Sequence, residues 1–425
     1  MIQVRILQNK TQVFPLPGVA FVHNRLTHSL EVASVGRSLG KIVGEHIVKN
    51  YKIAEESKEF YSYELSNVIS AACLAHDIGN PPFGHSGEST ISGFFKDNLD
   101  HIIEPGKQLR HYLDNKEWED LINFEGNANG FRFLTHKFTG KTNGGLRLTF
   151  STIAATLKYP CESTAIDKSE TVKHRSKYNV FQSDLGLFKE ITETVGMIRE
   201  SIDPLIYKRH PFVYLTEAAD DICYRIIDME DAHRLGILST HEVESLFLNL
   251  IECLKVYDFN RVKDVLSKIT DSNDKIGYLK AKCINALTLI CADRFINSAI
   301  EILEGKFNDD LFSIINKSCS EMKEIKVISE NRIYNHYKVA KIELAGYKIL
   351  SELLSLFIPA ILKSKPTHKD KKLINLIPNQ FKVADSNYSP YAKVFTVLDF
   401  VSGMTDTYAT QLYKELRGID ITKQD

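Results

Sequence analysis

The sequence predicts an all-α, mainly helical protein, and three observations carry that reading. Apolar residues recur at three- and four-residue spacing through most of the chain, as in Leu30, Val32, Ala33, Val35, Leu39, Ile42 and Val43. The stretch 68–76 is apolar almost all round, as a buried central helix would be. Alternating, strand-like patterns are short and few, and 146–150 is ambiguous.

In chain order, the first helix starts near Asn24 and closes near Gly44. The apolar helix that follows ends in His76-Asp77 and is broken by Gly79 and Pro81-Pro82. Over about 96–150 the composition shifts: Gly and Asn gather in 125–130 and 142–145, which reads as inserted loops that shape a site or an interface. Helical patterns resume over 185–199, 212–235, 241–256, 260–270, 276–304 and 331–362, with a last long helix over 391–416. The charged stretch 363–372 reads as an irregular segment, either solvated or anion-binding.

The 425 residues are 43% apolar and 25% charged, enough to bury a sizeable core, and 23 Phe with 18 Tyr exclude disorder as the main state. Lys and Arg number 53 against 54 Asp and Glu, so no global charge draws the chain to nucleic acid or to a membrane. Seven scattered Cys without a CxxC argue against a disulfide framework or zinc ribbon and favour a reducing compartment. The first ten residues lack the apolar core of a signal peptide, and the run 353–362, with Ser355 and Pro359, is too short to span a bilayer. The expectation is a cytoplasmic protein with no membrane association.

Three polar segments stand out: Arg25-Leu-Thr-His28, His76-Asp77 followed by Asn80, His85 and Glu88, and Glu217-Ala-Ala-Asp220-Asp221 followed by Tyr224 and Asp228. Adjacent His76 and Asp77 at a buried helix end invite a divalent cation of the Mn, Fe, Zn or Mg type, because burying unpaired charge is costly; a capping pair is the plainer alternative. Asp220, Tyr224 and Asp228, at i, i+4 and i+8, share one helix stripe that faces either a polar partner or solvent. His28 offers a second imidazole, or serves structure alone.

The order His…His-Asp…Asp on helices resembles the ligand set of the HD superfamily of metal-dependent phosphohydrolases. The strings Lys10-Thr-Gln-Val-Phe, Arg25-Leu-Thr-His28-Ser, His76-Asp-Ile-Gly-Asn-Pro-Pro-Phe-Gly-His85 and Glu217-Ala-Ala-Asp-Asp-Ile-Cys-Tyr224 narrow the likeness. With Phe124-Glu-Gly-Asn, Leu157-Lys-Tyr-Pro and Phe400-Val-Ser-Gly-Met-Thr-Asp406, they are similar to bacterial deoxyguanosinetriphosphate triphosphohydrolases. The blocks keep that family's order over nearly the whole chain.

The resemblance implies an HD core over 1–240 and a helical region over 241–425 that contributes to the substrate pocket and to oligomer contacts. It implies His28, His76, Asp77 and Asp220 as ligands of one divalent ion, Mg²⁺ or Mn²⁺ first, with Fe, Co or Zn as alternatives. His85 and Glu88 match the catalytic pair, a second metal ligand being the other reading of His85. Arg25, Lys158 and Lys177 match phosphate contacts, and Tyr159, Tyr224 and Asp228 match sugar contacts. The reaction implied is hydrolysis of dGTP, or of several dNTPs, to deoxynucleoside and intact triphosphate. Partners implied are a hexameric or tetrameric self-assembly and a nucleotide activator or single-stranded DNA. Relatives carry several dozen residues before the Lys-Thr-Gln-Val-Phe block, so a truncated start is expected here.

Overall fold

The computed structural model describes residues 7–14, 22–97, 102–104, 107–140, 145–169, 172–382 and 388–419. It is mainly helical, and the strands among the described residues form two small antiparallel pairs, Ile102–Glu104 with Lys107–Gln108 and Arg199–Ile202 with Leu205–Tyr207. Residues 1–6, and residues 98–101, 105–106 and 141–144 of the segment read as inserted loops, lie outside the described residues.

Helix α1, Arg25–Asn50, begins with a reciprocal cap: the Asn24 side chain accepts from the Thr27 amide while Thr27 Oγ1 accepts from the Asn24 amide. It does not stop at Gly44. Gly36, Gly40 and Gly44 instead form a stripe against which α2, Leu65–Ala75, is pressed. A Cβ on Gly36 would lie 2.4 Å from Cys73 Sγ, and one on Gly44 would lie 2.0 Å from the Tyr61 carbonyl oxygen. Spacing that reads as a helix end is thus the small-residue face that brings His28 of α1 close to His76 at the end of α2.

Helix α3, His85–Asp97, follows a tight turn, and α4, Asn115–Ile122, carries its own capping box from Asp114 and Glu117. The Gly- and Asn-rich string expected to be a loop is largely α5, Gly126–Thr135, capped by Glu125. Its glycines serve close approach: a Cβ on Gly79 would meet Gly130 N at 2.0 Å, and one on Gly126 would meet Glu88 Oε1 at 2.2 Å. The helix expected over 185–199 ends at Thr194, and the chain turns at Gly196 (φ 71°) into the hairpin 199–207.

Pro211 at the first position and a His210 cap start α6, Pro211–Arg234, which packs between α1 and α7, Ser272–Asn297. The predicted 331–362 helix starts later, as α8, Tyr337–Leu362. By length and composition α8 could cross a membrane, which the run 353–362 alone did not suggest. Its Leu350, Leu353, Leu354 and Phe357 are instead buried in a core with α3, α4 and the C-terminal helices. Residues 363–372 are not wholly irregular, since Thr367 caps a helix over His368–Leu376. The single last helix is two, α9 (Pro390–Ser402) and α10 (Asp406–Leu416), because Thr405 accepts from the Tyr408 amide and restarts the ladder. Cys253 and Cys319 come together as a single pair, 6.2 Å apart between Cα atoms, and the other described cysteines are free and buried.

Two large cores result. One joins α1, α2, α6 and α7 through Val32, Leu39, Ile69, Ile222, Ile226 and Leu287. The other joins α3, α4, α8 and α9 through Phe95, Trp118, Leu353, Phe357 and Phe395. Between α5 and α9, buried Arg132 grips both Asp399 oxygens at 2.7 and 2.8 Å and reaches Asp184 at 3.0 Å. Burial opposes ionisation of Asp184, yet Arg132 holds its carboxyl down at about 2. Its stabilising contribution is therefore complete above the ordinary value of 3.8 and is lost as pH falls through about 2. Arg132→Met strands two buried carboxylates. Guanidinium unfolding is expected to show a loss of about 3–5 kcal/mol, and an unchanged midpoint would refute the account.

Candidate metal centre and substrate cavities

His28 lies in the first turns of α1, His76 is the C-terminal cap of α2 with Asp77 next to it, and Asp220 lies in α6. The four side chains converge from these elements. His28 Nε2 is 3.0 Å and His76 Nε2 3.4 Å from Asp220 Oδ1, and His76 Nε2 is 3.6 Å from Asp77 Oδ1. His28, His76 and Asp77 offer donor atoms that all lie within 4.8 Å of one another. The His76 Nδ1 faces the Cys73 carbonyl at 2.6 Å, which leaves Nε2 as the atom turned to the centre. Two imidazoles and two carboxylates in this arrangement fit a divalent cation with positions to spare.

The charge balance points the same way. Burial opposes ionisation of Asp77, but Arg25 and His76 outweigh it and hold the carboxyl at about 2. Asp220, equally penalised by burial, is kept well below the carboxylate range by His76 and His28. His76 is raised to about 9 against the pull of burial, because Asp77 and Asp220 surround it. In effect a proton on imidazole stands where a cation would balance the two carboxylates.

His85, at the start of α3, is not part of this cluster. Its Nδ1 lies 3.0 Å from Glu88 Oε2, one turn on, and its side chain is 78% exposed to the cavities. The Glu88 hydrogen bond and charge raise the His85 pKa above the ordinary imidazole value. Glu88 is itself buried, and its other oxygen accepts the Gly126 amide, at the N-terminus of α5, at 3.1 Å.

Two cavities meet at Asp77, His85 and Asp220. One, of about 480 Å³, is also lined by Arg25, Asp221, Tyr224 and Tyr334. The other, of about 240 Å³, is lined by His76, Asn80, Asn127, Lys158, Tyr159 and Lys177. Lys158 pairs with Glu217 at 3.1 Å and Lys177 with Glu125 at 3.0 Å, so both ammonium groups are held at the cavity wall. Arg25 is bound to Asp77. Asp228 lines neither cavity: it is 3% exposed, and its Oδ2 accepts the Tyr334 hydroxyl at 2.8 Å. Tyr334 stacks on Tyr224 at 5.4 Å between ring centroids. Sequence reasoning missed Tyr334, whose sequence neighbourhood marks nothing but a helix. The apolar groove between Ile47, Met197, Phe212 and Phe295, about 500 Å³, is a separate feature without an acid–base pair.

The model of the HD domain matches residues 25–130, and that of the phosphohydrolase-associated domain matches 315–415. A deoxyguanosinetriphosphate triphosphohydrolase-like protein of Synechocystis is 38% identical over 98% of this chain and 91% of its own length. One from Pseudomonas aeruginosa is 36% identical over 97% and 90%. The chain belongs to this family. A deoxyguanosinetriphosphate triphosphohydrolase of Klebsiella pneumoniae, 29% identical, aligns over 98% of the chain and 91% of the relative. The HD domain match spans residues 25–130, so within it fall His28, His76, Asp77 and the His85–Glu88 pair. The phosphohydrolase-associated match covers all of α8 and α9 and α10 up to its penultimate residue.

For this HD-domain protein, calorimetric titration of chelator-treated chain with Mn²⁺ is expected to show one ion bound per chain. Asp77→Ala or His76→Ala should weaken that binding by at least about tenfold, and undiminished binding in both would remove the centre from these residues.

Proposed function

We propose that the chain hydrolyses dGTP, with other dNTPs as further substrates, to deoxynucleoside and intact inorganic triphosphate. The observation that carries this reading is the His85–Glu88 pair at the junction of two cavities, beside the four-residue donor set. One cavity presents tyrosines and the other lysines, which suits a nucleoside on one side and a polyphosphate on the other.

In this reading the nucleoside occupies the 480 Å³ cavity against Tyr224 and Tyr334, and the phosphates extend toward Lys158, Tyr159 and Lys177. The α-phosphate then lies between His85 and the donor set. A divalent ion held by His28, His76, Asp77 and Asp220, Mg²⁺ or Mn²⁺ first, supplies charge neutralisation at the phosphate and favours deprotonation of the attacking water. Arg25 orients Asp77 and adds positive charge near the reacting centre. Glu88 occupies Nδ1 of His85 and favours the imidazolium, so Nε2 is left to donate a proton to the 5′-oxygen as its bond to phosphorus breaks. The proton given up by water restores the imidazolium. The Tyr224–Tyr334 stack, braced by Asp228, supports a closed wall at the sugar that disfavours a 2′-hydroxyl. A self-assembling, cytoplasmic enzyme with a 1–240 core and a 241–425 helical region completes the proposal.

Product analysis by ³¹P NMR, with each dNTP alone and then mixed, is expected to give intact triphosphate, formed at least about 100-fold more slowly in His85→Ala. Pyrophosphate or orthophosphate as the first product would overturn the mechanism, and turnover only in the mixture would assign an activator. Glu88→Gln removes the charge that raises His85. The alkaline limb of kcat, which reports loss of the His85 proton, should therefore move to lower pH; a limb that stays in place would separate His85 from the proton transfer.

A further inference from the structure

The turn that delivers His85 is built in an unfavourable backbone conformation. Phe83 has φ 64° and Gly84 φ 60°, and a bulky aromatic residue in the left-handed region persists only where its surroundings over-determine it. Gly84 has a second reason to lack a side chain, since a Cβ there would lie 2.5 Å from Arg25 Nη2.

What holds Phe83 comes from far along the chain. Asp406, at the start of α10 and 8% exposed, accepts the Phe83 amide on Oδ1 at 3.0 Å and the Thr11 amide on Oδ2 at 2.8 Å. Lys10, next to Thr11 and 1% exposed, donates to the Asn80 carbonyl at 2.5 Å and to the Ser402 carbonyl, at the end of α9, at 2.9 Å. One buried carboxyl group and one buried amine thus join the N-terminal segment, the α9–α10 junction and both sides of the 80–84 turn. The Phe83 ring lies over Gly346 of α8, where a Cβ would come within 2.7 Å of it. Ser86 Oγ, donating to the Phe83 carbonyl at 2.8 Å, closes the turn from the other side.

We propose that Asp406, assisted by Lys10, is a positioning residue for His85: it clamps the strained Phe83–Gly84 turn so that the imidazole projects into the junction of the two cavities. The inference rests on the reading of His85 as the proton donor. Asp406 lines neither of those cavities and reaches His85 through the backbone of residue 83. This gives the Met404-Thr405-Asp406 string, and the break between α9 and α10, a purpose that ordinary helix capping by Thr405 does not require.

The test uses the full chain with Mn²⁺ and the dNTP that it turns over. Asp406→Asn keeps the shape but cannot accept both amides, so kcat should fall about 10- to 100-fold. KM and bound Mn²⁺ should stay within about twofold of wild type, as expected when misaligned chemistry rather than binding is lost. In a His85→Ala background the same substitution should cost nothing further, because there is no imidazole left to aim. Gly346→Ala, which pushes on the Phe83 ring without touching any charge, should reproduce the split if Asp406→Asn folds poorly. A kcat within twofold of wild type in both variants would overturn the proposal, as would a full additional loss in the His85→Ala background. If wild type itself releases no triphosphate, the functional reading fails. Amide exchange over 79–88 then tests the clamp by itself: faster exchange in Asp406→Asn supports it, and unchanged exchange refutes it.

Discussion

Everything at the centre depends on how the protein keeps Asp77 ionised while burying it. A carboxylate taken out of water without compensation would be neutralised instead. Here Arg25 and His76 hold it ionised, and Asn80 donates to its Oδ1 from three residues on. Each of those partners is placed by a different device: the cap that starts α1, the C-terminus of α2, and the Gly79 turn that needs α5 close against it. The glycine stripe of α1 sets the distance between the first two. The close approach of α5 sets the third and also presents the Gly126 amide to Glu88. Helix packing and site electrostatics are therefore one problem with one solution.

The helical class and the convergent segments around residues 25–28, 76–88 and 217–228 were legible because they rest on local pattern and on unusual polar residues at apolar positions. The misreadings share a cause. Gly44 and Gly126 carry the composition of helix ends and loops, yet in each case glycine is there because a carbonyl or carboxylate oxygen comes within about 2 Å of where a Cβ would be. One sequence shows the small residue but not the neighbour that demands it. The break at 403–405 was hidden for a different reason: apolar spacing runs on across it, while a single threonine cap restarts the ladder. Tyr334 and the Cys253–Cys319 pair are tertiary facts, joined over 106 and 66 positions of sequence, with no local trace.

The helices of the C-terminal region do more than shield the core. α9 supplies Asp399 to Arg132, and with it a charge-balanced link to α5, the helix whose first amide faces Glu88. α8 supplies the glycine over which Phe83 lies, and Tyr334, just before α8, braces the wall of the larger cavity. The site is thus assembled across the whole chain, although its titratable centre is contained in three short strings.

That assembly resolves a tension inherent in placing an acid–base histidine beside a cation site. Four converging donors would readily capture a third imidazole as a fifth donor, and His85 would then be lost to the proton transfer proposed for it. Two features oppose this. Glu88 engages Nδ1, and the left-handed turn at Phe83–Gly84 stands between Asp77 and the start of α3 that carries His85. A relaxed turn would satisfy the backbone of residue 83 better and separate the two roles less well. The hydrogen bonds of the buried Asp406 and Lys10 side chains are the interactions that make the less comfortable geometry the stable one.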